Sequence, residues 1–247
     1  RRYYRGGARS TSTRGLAKEQ LIFGSQAGLS SLAQYLDFRI DVILVMFMLG
    51  SAALGIYSVG IAIGEFIWQI SSAMINPSLK DIAGKDFARA AEVTAKCMRH
   101  SLVLVALAAL CVGLLARQLV PLLYGPAFSY GAVLTIALLP GIIAYSMMPA
   151  PAAFFSQQLG RPSLPSYFSA LSATVCAIVT FLTLPRFGLI AAAVATSVSY
   201  SVAFLFAVIY FARVSGLRGS RIFAYSADDL RPYYSLVTGA FAAIRGR

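Results

Sequence analysis

The sequence predicts an all-α, polytopic membrane protein built as a bundle of six transmembrane helices, and three observations predict it. Hydrophobic residues make up 58% of the 247 positions and charged residues only 12%, against about 45–50% and about 25% in globular domains. The mean hydropathy is +0.73. The basic residues are grouped, with nearly charge-free apolar stretches between the groups. Those stretches are each about 20 residues or more, the length that crosses a bilayer as a helix. One soluble core cannot hide this much apolar surface, because more than half of a folded domain's surface stays exposed. The surrounding solvent is lipid. This excludes a soluble enzyme and a disulfide scaffold, and 16 Phe with 13 Tyr exclude a disordered chain.

Three regions follow along the chain. Residues 1–27 form a basic arm with Arg1, Arg2, Arg5, Arg9, Arg14 and Lys18. Residues 28–212 carry the six spans, predicted at 28–52, 54–76, 101–120, 131–155, 166–185 and 188–212. The first is apolar only in its second half, and its polar first half would be expelled from lipid on its own. Residues 213–247 form a basic tail. No secretory leader is recognisable: the chain opens Arg-Arg-Tyr-Tyr, and the expectation is a fragment that starts inside a longer protein.

Six spans put both ends on one side, together with the loops 77–100 and 156–165. That side holds eighteen of the 21 basic residues, and the opposite side only Arg117 and Arg186. By the bias of Lys and Arg toward the cytoplasm, both ends are expected to be cytoplasmic. The net charge of +12 then marks the edges of spans. A nucleic-acid face would instead gather its charge on one patch or helix, so no nucleic-acid partner is expected.

Within the spans, small residues mark where helices meet. Gly60 and Gly64 form a GxxxG pair, and Ala191, Ala195 and Ser199 form a stripe with Ala193, Ser197 and Ser201 beside it. Pro140, Pro149 and Pro151 in the fourth span each remove a backbone donor and invite a kink. They suit a helix that bends during transport, and equally a permanently bent structural one. Cys97, Cys111 and Cys176 are unpaired by spacing and read as small core hydrophobes. His100 borders the basic loop and reads as flanking the membrane. Asp228 and Asp229 read as part of a solvated tail, and no metal site is expected.

The informative cluster is Asp37, Arg39 and Asp41 in the first span. Asp37 and Asp41 are four apart and share a helix face. Arg39 points about 160° away from both by the 3.6-residue period. At least one of the three needs a partner on another helix, or water. Glu65 in the second span is a fourth ionisable group. Such groups are costly in hydrocarbon and belong in a bundle interior or an aqueous cavity. Asp37 and Arg39 can alternatively lie solvated at the cytoplasmic mouth, whereas Asp41 and Glu65 sit deeper and suit a cavity or ion-coupling role. No nucleophile elbow, zinc-protease motif, P-loop or dinucleotide fingerprint occurs, so neither an enzyme nor a transporter powered by its own ATP hydrolysis is expected.

Four stretches together resemble the C-terminal half of Wzx-type lipid-linked oligosaccharide flippases, of the multidrug/oligosaccharidyl-lipid/polysaccharide exporter superfamily. They are FRIDVILVMFMLGSAALGIYSVGIAIGEFIWQI (38–70), LVPLLYGPAFSYG (119–131), QLGRPSLP (158–165) and PRFGLIAAAVATSVSY (185–200). They match the family's Arg-x-Asp pair and small-residue helix, its Tyr-Gly outer loop, its Gly-Arg cytoplasmic turn and its final helix. Each is unspecific alone; their order over some 175 residues is much more specific.

The resemblance implies one six-helix half of a MATE-like fold, with a missing N-terminal half as the other cavity wall. It implies flipping of undecaprenyl-diphosphate-linked repeat units across the bacterial inner membrane, for O-antigen, capsule or exopolysaccharide assembly. It implies no cofactor beyond a coupling proton or sodium ion, and as partners the membrane lipid, the lipid-linked sugar and other polysaccharide assembly proteins. Arg39 would contact the headgroup or pair with Asp41; Asp37, Asp41 and Glu65 would couple an ion. Competing readings are a lipid II flippase or drug/cation antiporter of the same superfamily, a polytopic glycosyltransferase or polymerase, and a scaffold subunit. The expected outer loops carry no acidic residue, which argues against the enzyme.

Overall fold

The computed structural model describes residues 13–84 and 86–225, with side chains from residue 32 onward. Residues 1–12, Lys85 and 226–247, with Asp228, Asp229, Arg231, Arg245 and Arg247, lie outside the described residues. All regular structure among the described residues is helical: α1 (Thr13–Ile75), α2 (Leu79–Ile82), α3 (Phe87–Tyr124), α4 (Tyr130–Ser146), α5 (Pro149–Ala153), α6 (Ser163–Phe187), α7 (Leu189–Ser215) and α8 (Gly219–Phe223). A π-helical turn, Phe154–Gln158, follows α5. Five runs are long and apolar enough to cross a membrane: Leu32–Ile82, Phe87–Tyr124, Tyr130–Gln158, Ser163–Phe187 and Leu189–Ser215.

The first run contains two crossings. Gly50 within α1 has φ 82 and ψ −179, outside helical geometry. Tyr57 Oη lies 2.6 Å from Asp41 Oδ2, and Arg39 Nη2 lies 3.1 Å from Glu65 Oε1. In a straight helix the second pair would be about 39 Å apart at 1.5 Å per residue. The chain therefore folds back at Gly50 into a first arm (13–49) and a second arm (51–75), which makes six spans. The expected boundary near residue 53 moves to residue 50. That backbone region is open essentially to glycine alone and costs of order 1–3 kcal/mol otherwise. Gly50→Ala should thus lower stability by about 1–3 kcal/mol, read as a lower unfolding midpoint in detergent.

Two further hairpins turn at the same end of the bundle, and each has glycine at positive φ: Gly125 (93°) before α4 and Gly188 (64°) before α7. The other end gathers the basic residues. There Arg99 Nη1 donates to the carbonyls of Arg221 and Ile222 at 3.2 Å, and Tyr225 Oη donates to the Arg99 carbonyl at 3.0 Å. Gln158 donates to the Gly84 carbonyl, tying the two remaining connections of that end together.

Two expectations change at this basic end. The stretch 77–100, expected as a loop, is mostly helical, because α3 starts at Phe87 rather than near 101. Asp86 caps it, accepting from the Ala88 and Arg89 amides at 3.0 and 3.2 Å, and the alanine-rich run after it favours helix. His100 consequently lies more than three turns into α3 and is buried. The first helix likewise begins at Thr13, inside the expected arm. Cys97 and Cys176 are buried, whereas Cys111 is exposed on an outward helix face and is no core residue.

Close backbone approach holds the spans together, as expected where water supplies no force between helices. A Cβ at Gly60 would lie 3.2 Å from the Thr135 amide nitrogen, and one at Gly64 2.5 Å from Ile142 Cδ1. The GxxxG face thus seats the second arm on α4. Ala191, Ala193, Ala195, Ser197 and Ser199 are all buried on α7. The tightest crossing was not foreseen: a Cβ at Gly141 would lie 2.4 Å from the Ser197 Cα. Ser197 Oγ donates to the Ala137 carbonyl at 2.6 Å and accepts from the Gly141 amide at 3.3 Å. Pro140 lies within continuous α4, while Pro149 and Pro151 sit just past the Met147–Met148 break that separates α4 from α5.

Candidate functional site

Two carboxylates on one face of the first arm organise the bundle interior. Asp41 is 2% exposed. Its Oδ2 accepts hydrogen bonds from Tyr57 Oη (2.6 Å) and Thr196 Oγ1 (2.9 Å), and its Oδ1 accepts from the Val42 amide (2.8 Å). Thr196 Oγ1 also lies 3.6 Å from Cys176 Sγ, which in turn lies 3.7 Å from Thr180 Oγ1. One carboxylate therefore joins both arms of α1 to α7, and through Thr196 to α6. Removing an ion from water is expensive, and only such saturation with donors makes it tolerable.

Asp37 lies one helical turn away and is 1% exposed, so the alternative of a solvated position at the membrane mouth is overturned. Its Oδ2 accepts from Tyr145 Oη at 2.7 Å. Among the described residues its Oδ1 has no hydrogen-bond partner, and neither has the Ser172 hydroxyl, although Ser169 and Ser172 of α6 border the carboxylate. The Tyr145 ring stacks on Tyr200 with centroids 4.4 Å apart. Phe38 meets Tyr145, Tyr200 and Trp68 at 5.7, 6.4 and 5.2 Å. The four rings form one cluster that meets the carboxylate through Tyr145.

Arg39 points the other way, as the helical period requires. Its partner is Glu65 of the second arm, at 3.1 Å, and not Asp41; the two side chains are 38% and 44% exposed. Glu65 also borders a narrow cleft of about 40 Å³ whose walls include Trp68, Tyr145, Thr196 and Tyr200. That volume admits water-sized molecules. The cleft thus runs from a half-exposed ion pair to the hydroxyl-bearing residues bonded to Asp37 and Asp41. Carboxylates and hydroxyls in this order can hold and pass a proton, or present oxygens to a small cation.

The sequence brought Asp37, Asp41, Arg39 and Glu65 forward. It missed the groups that partner the carboxylates, Tyr57, Tyr145 and Thr196, and Cys176 behind Thr196. One signal was available, since a tyrosine hydroxyl at mid-span must find a partner. The groups bonded to the two carboxylates are Val42, Tyr57, Tyr145 and Thr196 and include none of Pro140, Pro149 and Pro151; the last two shape the basic end instead. Among the described residues no three His, Cys, Asp or Glu side chains gather to hold a metal ion.

Six apolar spans around buried carboxylates, with an ion pair on the outer face, define a polytopic membrane protein. Residues 6–132, just over half of the chain, match the family described as polysaccharide biosynthesis protein. The chain belongs to that family. No curated protein and no solved structure matches it significantly.

Proposed function

We propose that this chain forms one wall of an alternating-access flippase. It moves polyprenyl-diphosphate-linked oligosaccharides from the cytoplasmic to the outer leaflet of a bacterial inner membrane and performs no covalent chemistry. A second six-helix half faces it, and the basic end of the bundle lies in the cytoplasm. Membership in the polysaccharide biosynthesis family supports the substrate class.

The observation that carries the reading is the Arg39–Glu65 pair. A guanidinium and a carboxylate within spans, about two-fifths exposed on the outside of a six-helix unit, are unsuited to lipid and need an aqueous cavity or another bundle against them. A hydrated cavity with an Arg on its wall suits a diphosphate headgroup, because guanidinium pairs with phosphate oxygens bidentately. The polyprenyl tail meanwhile stays in lipid. Asp37, Asp41 and Glu65 are the ion-coupling groups of this reading, with a proton or sodium ion as the coupled species.

In the full-length protein, Arg39→Ala and Glu65→Gln should each reduce surface polysaccharide at least fivefold with unchanged protein abundance in the membrane. Unchanged polysaccharide in both variants would sink the reading. Export of a cationic drug from vesicles, with polysaccharide untouched, would move the chain to the antiporter branch.

A further inference from the structure

A second cavity, which shares the Trp68 and Tyr145 walls with the carboxylate cleft, lies toward the basic end between the first hairpin, the α4–α5 break and the start of α6. It measures about 420 Å³, within the roughly 300–1,000 Å³ of small-molecule sites. Its polar lining includes Gln34, Ser72, Gln157 and Ser166, and Trp68 and Tyr145 supply aromatic walls. No carboxylate, ammonium or guanidinium group lines it among the described residues. That is unexpected at the end of the bundle where the chain concentrates its charge.

The break in the fourth span builds this cavity. Past Met147–Met148, the Pro149–Ala153 helix runs into a π-helical turn at Phe154–Gln158. The widened turn brings Ser156 and Gln157 to the cavity wall. Single π-turns inside helices frequently mark functional sites. Pro149 also lines the cavity, as do Pro162 and Pro165 from the other side, so much of its rim has fixed φ.

Amides and hydroxyls that both donate and accept, set beside aromatic faces and without a net charge, match one chemistry. It is a neutral pyranose, whose hydroxyls need both kinds of partner and whose C–H face packs on an aromatic ring. Among the described lining residues an anion would meet no cation. We propose that this cavity binds one neutral sugar residue of the translocated oligosaccharide, leaving the diphosphate to Arg39 on the other face. The proposal rests on the flippase reading above and divides the substrate between two sites.

Trp68 is the only tryptophan of the chain, so its fluorescence reports on the cavity. The 247-residue chain in detergent would be titrated with glucose, galactose, N-acetylglucosamine, N-acetylgalactosamine and rhamnose, and separately with glucuronate and pyrophosphate. At least one neutral sugar should shift the emission saturably, with glucuronate and pyrophosphate at least fivefold weaker. Gln157→Leu and Ser72→Ala should each weaken that sugar at least fivefold with helicity retained; the milder Ser72→Ala keeps the test open if Gln157→Leu misfolds.

Saturation by no neutral sugar, or equal affinity in both variants, overturns the proposal. So does pyrophosphate binding as tightly as the best sugar. The two readings fail separately. Polysaccharide lost in the Arg39 and Glu65 variants, without sugar binding here, removes only the cavity assignment. Sugar binding that depends on Gln157, with polysaccharide indifferent to Arg39 and Glu65, removes the flippase mechanism and leaves a sugar site.

Discussion

Asp41→Ala is expected to lower unfolding stability by about 2–6 kcal/mol, since it strips the shared acceptor from two buried hydroxyls at about 1–3 kcal/mol each. Tyr57 would then retain only Thr196, 3.3 Å away, and Thr196 would keep Tyr57 and the longer Cys176 contact at 3.6 Å. In a thermal melt in detergent the midpoint should fall by roughly 5–15 °C. Asp41→Asn keeps an acceptor oxygen for the same hydroxyls but turns its NH2 toward the Val42 amide, and should cost about 1–2 kcal/mol, less than the alanine variant. On the proposed mechanism the asparagine variant nonetheless loses polysaccharide transport, because an amide cannot exchange a proton or balance a cation. A stable and active asparagine variant would confine Asp41 to a packing role.

Gly141→Ala should be nearly as damaging, though it adds a single methyl group. The new Cβ would lie 2.4 Å from the Ser197 Cα and 3.0 Å from its carbonyl oxygen. Backbone atoms of another helix cannot swing away as a side-chain tip can. α4 and α7 must separate, and the Ser197 bonds to Gly141 and Ala137 stretch with them. Overpacking typically costs about 1–3 kcal/mol; backbone contact places this site at the upper end, or roughly 6–12 °C of melting midpoint. Gly113→Ala is the matched control. Its Cβ meets only the movable Leu139 Cδ1, at 3.1 Å, and the midpoint should shift by no more than about 3 °C. Equal losses in the two variants would contradict the backbone argument.

The sequence was most legible where a local period decides the answer. Hydropathy located six spans, and the 3.6-residue repeat set Asp37 and Asp41 on one face with Arg39 on the other. The GxxxG pair found a real crossing because small residues announce close approach wherever they recur. Partners across helices were illegible for the opposite reason. Arg39 meets Glu65 because the chain folds back at Gly50, and nothing in the local pattern distinguishes that glycine from Gly55. Tyr145 reaches Asp37 over 108 positions of sequence, a match that only the packed bundle defines. The basic stretch 77–100 misled because charge was read as loop; α3 continues through it from the Asp86 cap, whatever solvent its side chains face. At Gly141, one glycine carries what a repeated motif would have announced.

The fold-back at Gly50 also bears on how the chain enters its membrane. Asp37, Arg39 and Asp41 each oppose insertion by about 2.5–3.5 kcal/mol at a helix centre, so together they weigh on the order of 8–10 kcal/mol. The first arm is therefore a poor passenger when it emerges alone from the ribosome. The second arm follows within one tight turn and brings Glu65 to Arg39 and Tyr57 to Asp41. The two arms are suited to crossing as one cargo, with the ion pair and the tyrosine bond formed during entry. Asp37 must wait longer. Its partner Tyr145 belongs to the fourth span and is synthesised some hundred residues later, so the site closes only when that span has joined the first hairpin.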